Sequence, residues 1–309
     1  MRSVIFSQRS KKNKMIKKII CIAILIAVMG TAFAKEATLL PANTLRLSLI
    51  PSFGFQVQTW EWEGVSEEKV TLCSIGLGVE YGPADWINFQ LFWDRGVNVY
   101  SKIDGGDYGR MTDLFLGFKI ALWGKEGALK EAEKIRFSFA PGMIMPLGGF
   151  NTNSEKAETA REPDQHLWGS ALRLYFDYII NPFVFVNIYA EGIYYPKQWT
   201  YNPAYKTHMV NHPIDINSEL EVNFNYPLQN KIVLKGGLSA NFFIAPTMNS
   251  NDSSAPSNQY CFSSGLYFGA AFNPSFDAFL RYKFPITGIN TEPVHLVSIV
   301  ARYSIPFSK

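Results

Sequence analysis

From residue 44 onward the chain repeats one kind of stretch, roughly 10 to 15 residues in which apolar and polar side chains alternate. A period of two sends successive side chains to opposite faces, so each stretch predicts a strand with two unlike faces. In WINFQLFWD, Ile87, Phe89, Leu91 and Trp93 share one face, while Asn88, Gln90 and Asp94 share the other. In SELEVNFNY, Leu220, Val222, Phe224 and Tyr226 oppose Glu219, Glu221, Asn223 and Asn225. Twelve such segments are predicted, at 44–60, 70–81, 86–100, 111–123, 135–147, 167–178, 183–195, 216–226, 232–244, 262–273, 276–284 and 294–309.

The connections alternate in length. GPAD, IINP, PLQNK and PS are tight reversals enforced by Pro and Asn. Between them come long polar connections, among them EWEGVSEEK, SKIDGGDYGR, GGFNTNSEKAETAREPDQH, PKQWTYNPAYKTHMVNHPID and APTMNSNDSSAPSNQYC, and PITGINTEP precedes the last strand. GKEGALKEAEK (124–134) holds a short-turn position and is expected to form a brief helical turn. Short turns at one rim, long loops at the other and an even strand number are the pattern of barrels that cross an outer membrane. Hydrocarbon supplies no water to an unpaired N–H or C=O, and only a closed sheet removes the edge. The expected fold class is all-β: a transmembrane antiparallel up-and-down β-barrel of about twelve strands. A soluble sandwich or lipocalin-like barrel shares the period with the faces reversed. Trp60, Trp86, Tyr100, Trp123, Trp168, Tyr194 and Tyr195 near strand ends suit the aromatic girdles of the membrane reading.

The beginning of the chain differs from the rest. MIKKIICIAILIAVMGTAFAKE starts at Met15 with two lysines, runs apolar from Ile19 to Gly30 and closes on Ala32-Phe33-Ala34. This predicts a cleaved secretory signal peptide over 1–34, with the barrel at 35–309. The apolar run falls short of the roughly 20 residues a membrane helix needs. Cys21 lies inside that run, not just after the cleavage site, so no lipid anchor is expected. Arg2, Arg9, Lys11, Lys12, Lys14, Lys17 and Lys18 leave with the leader, and the net charge of +3 becomes 22 basic against 26 acidic residues, or −4. The basic balance thus belongs to the leader, and nucleic acid is not an expected partner. Export permits a disulfide between Cys73 and Cys261, but two cysteines do not dictate one.

The chain closes on VHLVSIVARYSIPFSK, where Val297, Ile299, Ala301, Tyr303, Ile305 and Phe307 share one face. This stretch resembles the terminal strand of bacterial outer-membrane barrels, in which the barrel-assembly machinery recognises a last aromatic residue preceded by alternating apolar ones. Phe307, Ile305 and Tyr303 match that pattern, followed by Ala301 and Ile299, and Ser308-Lys309 depart from it. More widely, the mature chain resembles uncharacterised outer-membrane proteins of spirochaetes and, more loosely, small transporter-type barrels. The resemblance implies outer-membrane lipid and the assembly machinery as partners, an outer-membrane location and both termini in the periplasm. Barrels of this size include passive channels for small solutes and sugar acids and a phospholipase, so the resemblance does not choose a function.

Candidate chemistry is sparse. The histidines are His166, His208, His212 and His295. His295 and Ser298 fall on opposite faces of one strand and cannot pair as base and nucleophile. His208 and His212 share a loop with Asp215 at a spacing a metal could use, yet two histidines in a polar loop are the simpler reading. DGGD at 104–107 lacks a calcium loop's oxygen ligands. No enzyme activity, metal or cofactor is expected. The candidate site is instead the set of charges on the polar faces: Glu80, Asp94, Lys119, Arg136, Arg173, Asp177, Glu191, Lys235, Arg281 and Lys283. An Arg or Lys facing lipid at the midplane costs about 2–4 kcal/mol, which favours placing them in the lumen. There they either neutralise one another in a packed interior or line a water-filled path. Glycines such as Gly117, Gly142 and Gly237 either ease curvature and packing or leave room for a lumen.

The function expected is passive passage of small hydrophilic solutes through a monomeric outer-membrane channel. The alternative is a plugged surface barrel whose long loops, 148–166, 196–215 and 245–261, mediate adhesion or ligand binding. Phe307→Ser is expected to lower the yield of folded barrel in outer-membrane fractions, and removal of Ser308-Lys309 to leave it unchanged. Equal yields of heat-modifiable protein from all three forms would defeat the assembly-signal reading.

Overall fold

A computed structural model of the chain describes residues 36–55, 59–61, 64–66, 71–103, 106–107, 110–111, 113–123, 134–145, 147, 168–196, 198–202, 206–210, 214–228, 232–245, 259–289 and 295–307. The predicted leader and residues 124–133 of the predicted helical turn lie outside the described residues. Among those residues, the long strands are β1 (Thr44–Phe55), β2 (Thr71–Ala84), β3 (Ile87–Ile103), β4 (Leu114–Trp123), β5 (Ile135–Met145) and β6 (Gly169–Asn181). They continue with β7 (Val184–Tyr194), β8 (Ile214–Pro227), β9 (Val233–Ala245), β10 (Gln259–Asn273), β11 (Phe276–Ile289) and β12 (His295–Pro306).

Each strand pairs antiparallel with the next in sequence, and β1 pairs with both β2 and β12, so the twelve strands close into a barrel. The closing register runs from Thr44 opposite Pro306 to Phe55 opposite His295. It skips Ile50 and Pro51, the latter having no N–H to give to a ladder. At the rim, the Asn43 N–H donates to Gly82 O at 2.6 Å and the Phe307 N–H to Asn43 O at 2.8 Å. The short turns Asp85-Trp86, Pro182-Phe183 and Pro274-Ser275 share this rim with both ends of the barrel.

The strands follow the alternation closely, with two informative departures. β11 continues to Ile289, through most of a stretch read as loop. The long connections also fold back on themselves, Thr59–Glu61 pairing with Gly64–Ser66 and Gln198–Asn202 with Lys206–Val210. A loop of that length satisfies its own N–H and C=O groups by pairing internally.

Burial settles which face is which. Along β6, Leu172 and Leu174 are 46% and 37% exposed, while Arg173 and Asp177 between and beyond them are 6% and 2% exposed. The same inversion recurs in β1, β8, β9 and β11, where Leu49, Leu220, Leu238 and Leu280 face out. A soluble barrel would bury the leucines; a barrel with leucines outside and charges inside has lipid as its outer solvent. Trp86, Trp123 and Tyr226 stand exposed at the short-turn rim, and Trp168 and Tyr194 at the other, as girdle residues should. Tyr195 does not join them: it is buried against Gly169. It has the parity of the inward-facing Phe185, Asn187, Tyr189 and Glu191, so the alternation that turns Tyr194 outward turns Tyr195 inward.

Leu220→Arg puts a guanidinium on the lipid face midway along β8. It is expected to destabilise the barrel by about 2–4 kcal/mol in denaturant titrations from lipid vesicles, with little effect if that face were wet.

Candidate functional site: the barrel interior

The interior is organised by strand register. Antiparallel pairing sets Arg46 opposite Glu80, Glu80 opposite Gln90, Arg173 opposite Glu191, Arg136 opposite Asp177 and Asp277 opposite Arg302. Neighbours across a ladder are about 4.5–5.5 Å apart at Cβ, close enough for opposite charges to meet. Arg46 Nη1 lies 3.5 Å from Glu80 Oε2, and Gln90 Nε2 donates to Glu80 Oε1 at 2.8 Å. Arg173 Nε donates to Glu191 Oε1 at 2.5 Å while its guanidinium stacks 3.6 Å from the Phe115 ring centre.

On the β8–β12 side, Asp277 is held by two cations. Arg302 donates to Oδ1 and Oδ2 at 2.8 and 2.5 Å, and Lys235 Nζ to Oδ2 at 3.0 Å. Arg302 also lies 5.1 Å from the Phe279 ring centre. Arg281 pairs with Glu219, and Lys283 Nζ donates to Asn241 Oδ1 at 2.8 Å. A chain of amides and a phenol joins the two halves: Tyr267 Oη donates to Asn223, Asn223 to Asn187, and Asn187 to Asp177 Oδ1 at 2.6 Å.

The glycines make this interior fit together. A Cβ at Gly117 or Gly142 would come within 2.6 Å of the Phe115 ring, and one at Gly237 within 2.4 Å of the Tyr267 ring. The space they leave is filled by aromatic rings and does not widen a lumen at these positions.

A six-residue stretch outside the strands completes the site. Residues 36–40 run inside the barrel and Pro41 is exposed where the chain leaves it, before the turn through Asn43, whose φ is 58°, into β1. Glu36, Ala37, Leu39 and Leu40 are buried. The Ala37 N–H reaches both carboxylate oxygens of Asp177 at 2.9 and 3.0 Å. Lys119 Nζ donates to Glu36 O and, at 3.0 Å, to Thr38 O, while lying 4.3 Å from the Tyr175 ring centre. Arg136 Nη1 donates to Thr38 Oγ1 at 2.6 Å. The Asn88 amide, oriented with its oxygen toward the segment, accepts from the Leu40 N–H at 2.9 Å. Ala37 packs among Phe92, Phe115, Tyr175 and Tyr189.

Of the charges singled out in the sequence, Glu80, Lys119, Arg136, Arg173, Asp177, Glu191 and Lys235 are buried within the barrel. Arg281 and Lys283 are partly exposed, toward the long-loop end of β11. The Asp94 side chain, like those of Trp60, Tyr100, His208 and His212, lies outside the described residues. Cys73 and Cys261 are free thiols. Arg46, Glu219, Asp277 and Arg302 were not among the candidate charges, though each falls on a polar strand position. Pattern reading had no signal for residues 36–41, which carry no alternation.

No protein-family profile matches the chain, and no curated protein sequence does. Among solved structures, an outer membrane channel from Pseudomonas putida F1 is similar over 89% of this chain and 100% of that one, at 11% identity and a TM-score of 0.68. The fold is that of a bacterial outer-membrane barrel. More distant likenesses are the NanC porin, at 6% identity over 83% of this chain and 98% of that one with a TM-score of 0.46, and the translocator domain of the autotransporter NalP from Neisseria meningitidis, at 12% over 96% and 97% with a TM-score of 0.44. The Pseudomonas putida channel carries the barrel class, and none of the three carries a source organism to this chain.

Asp277→Asn leaves Lys235 and Arg302 buried without their shared anion. It is expected to lower unfolding stability by about 3–5 kcal/mol, measured in lipid vesicles. Lys283→Gln changes a partly exposed residue and is expected to cost less than about 1 kcal/mol.

Proposed function

We propose that the chain is an outer-membrane channel for passive passage of small hydrophilic solutes, and that the arrangement described above is its closed state. The observation that carries this reading is the polarity of the interior. A barrel that only needed filling would be as stable, or more so, with apolar residues in place of buried ion pairs. This one instead retains charges and amides along the full height of the wall. Gln90 Oε1, Ser138 Oγ and Asn225 Oδ1 are also buried acceptors without a protein partner among the described residues. Each would cost about 1–3 kcal/mol if dry, and water in the interior removes that cost. The two signs are interleaved, so the wall favours neither cations nor anions strongly. In this reading residues 1–34 are a leader, both termini face the periplasm, and the assembly machinery inserts a monomer by its last strand.

A second reading has its own support. The dense pairing and the inserted residues 36–41 also suit a barrel whose wall serves only to display its long loops for adhesion or ligand binding.

Planar-bilayer recording separates the two. A channel is expected to show discrete openings from a mostly closed baseline, with weak ion selectivity. Silent barrels that nevertheless bind cell-surface ligands through their loops would favour the second reading.

A further inference from the structure

We propose that residues 36–41 are a built-in peptide ligand, held in a lumen site made by Asp177, Lys119, Arg136 and Asn88, and that this site takes short peptides when the segment leaves it. The inference rests on the channel reading for its consequence, passage, but the site itself is argued from geometry.

The wall grips the segment's main chain. Asp177 accepts from the Ala37 N–H, Asn88 accepts from the Leu40 N–H, and Lys119 donates to the carbonyls of Glu36 and Thr38. Side chains of the segment are held as well: Thr38 accepts from Arg136, and the Glu36 side chain is buried in the interior. A site that reads N–H and C=O groups selects for the peptide unit, whatever the side chains add. Its polarity suits a short zwitterion as well: a carboxylate to meet an ammonium or N–H, and two cations to meet a carbonyl or carboxylate. The pocket around Ala37, walled by Phe92, Phe115, Tyr175 and Tyr189, admits a small side chain.

The segment is also separable from the barrel. Its residues belong to no strand, and β1 is paired on both edges from Thr44 onward without them. Release needs rotation about Ala42 and Asn43 and loss of the contact from the Ala42 N–H to Asp85 Oδ1 at 2.8 Å. After release, Asp177 still accepts from Asn187 and still lies opposite Arg136 in register, so that carboxylate is not left isolated. Tethering presents the segment at roughly millimolar effective concentration. Free peptides therefore bind weakly to the full chain and better to one that lacks the segment.

The test compares the full chain with a form lacking residues 35–41, both purified as folded barrels. The probes are a fluorescein-labelled peptide of residues 35–41 followed by anisotropy, trialanine as competitor, and glucose as the non-peptide control. The shortened form should bind the labelled peptide saturably, lose it to trialanine but not to glucose, and bind it roughly tenfold or more weakly when Asp177→Asn removes a charge-assisted hydrogen bond. The full chain should bind little. Ala37→Pro in the full chain, which deletes the N–H given to Asp177 without shortening anything, should admit the labelled peptide and serves if the shortened form does not fold. In bilayers, conductance should rise on deletion, and trialanine should block the opened channel.

Equal binding by full and shortened forms, no binding by either the shortened form or the Ala37→Pro form, or displacement by glucose as readily as by trialanine would each overturn the peptide site. Peptide binding without conductance in any form would overturn the channel reading and leave the site standing.

Discussion

A backbone inside hydrocarbon has nowhere to place an unpaired N–H or C=O, and the rest of this structure depends on that constraint. Twelve strands meet it by closing on themselves, β1 with β12. Closure turns one face of every strand to lipid and the other to a shared interior. The outward leucines and the inward charges are two sides of the same alternation, with no separate core to arbitrate between them.

Once closed, the interior must dispose of its charges, and it does so through register. A single irregularity shows how much depends on this. Pairing from the turn begins with Asn181 opposite Val184, and a bulge between Ile179 and Asn181 shifts the ladder so that Arg173 faces Glu191. Continued in the turn's own register, Arg173 would face Gly192 and its guanidinium would lack that carboxylate. Elsewhere a ring takes the place of a charge pair. Phe115 lies over Gly117 and Gly142, and Arg173 stacks on Phe115, so small, flat and charged residues in three strands form one packed unit.

The inserted stretch at 36–41 changes what the wall is for. Without it, Lys119, Asp177 and Asn88 would be further members of a polar interior. With it, they are the donors and acceptors of a site whose occupant is a peptide. Leu39 and Leu40, which would be expensive in water, are buried there, so the segment is held by apolar contact as well as by hydrogen bonds.

The strands, their two faces, the rim of short turns and the membrane class could all be read from the sequence, because each follows from a period of two and from turn residues acting within a few positions. Polar-face charges such as Glu80, Lys119 and Asp177 were legible for the same reason, and Tyr195 was misread because nearness to a strand end was weighed above the alternation, which turns it inward next to the outward Tyr194. Which charge meets which was not legible: a one-residue bulge reassigns a whole ladder, and Lys235 and Asp277 come from strands that are not adjacent. Nor was the inserted segment, whose contacts join residues 48 to 140 positions apart. Local periodicity determined that there is a barrel and which face is polar; only closure in three dimensions decided how that face pairs and what it holds.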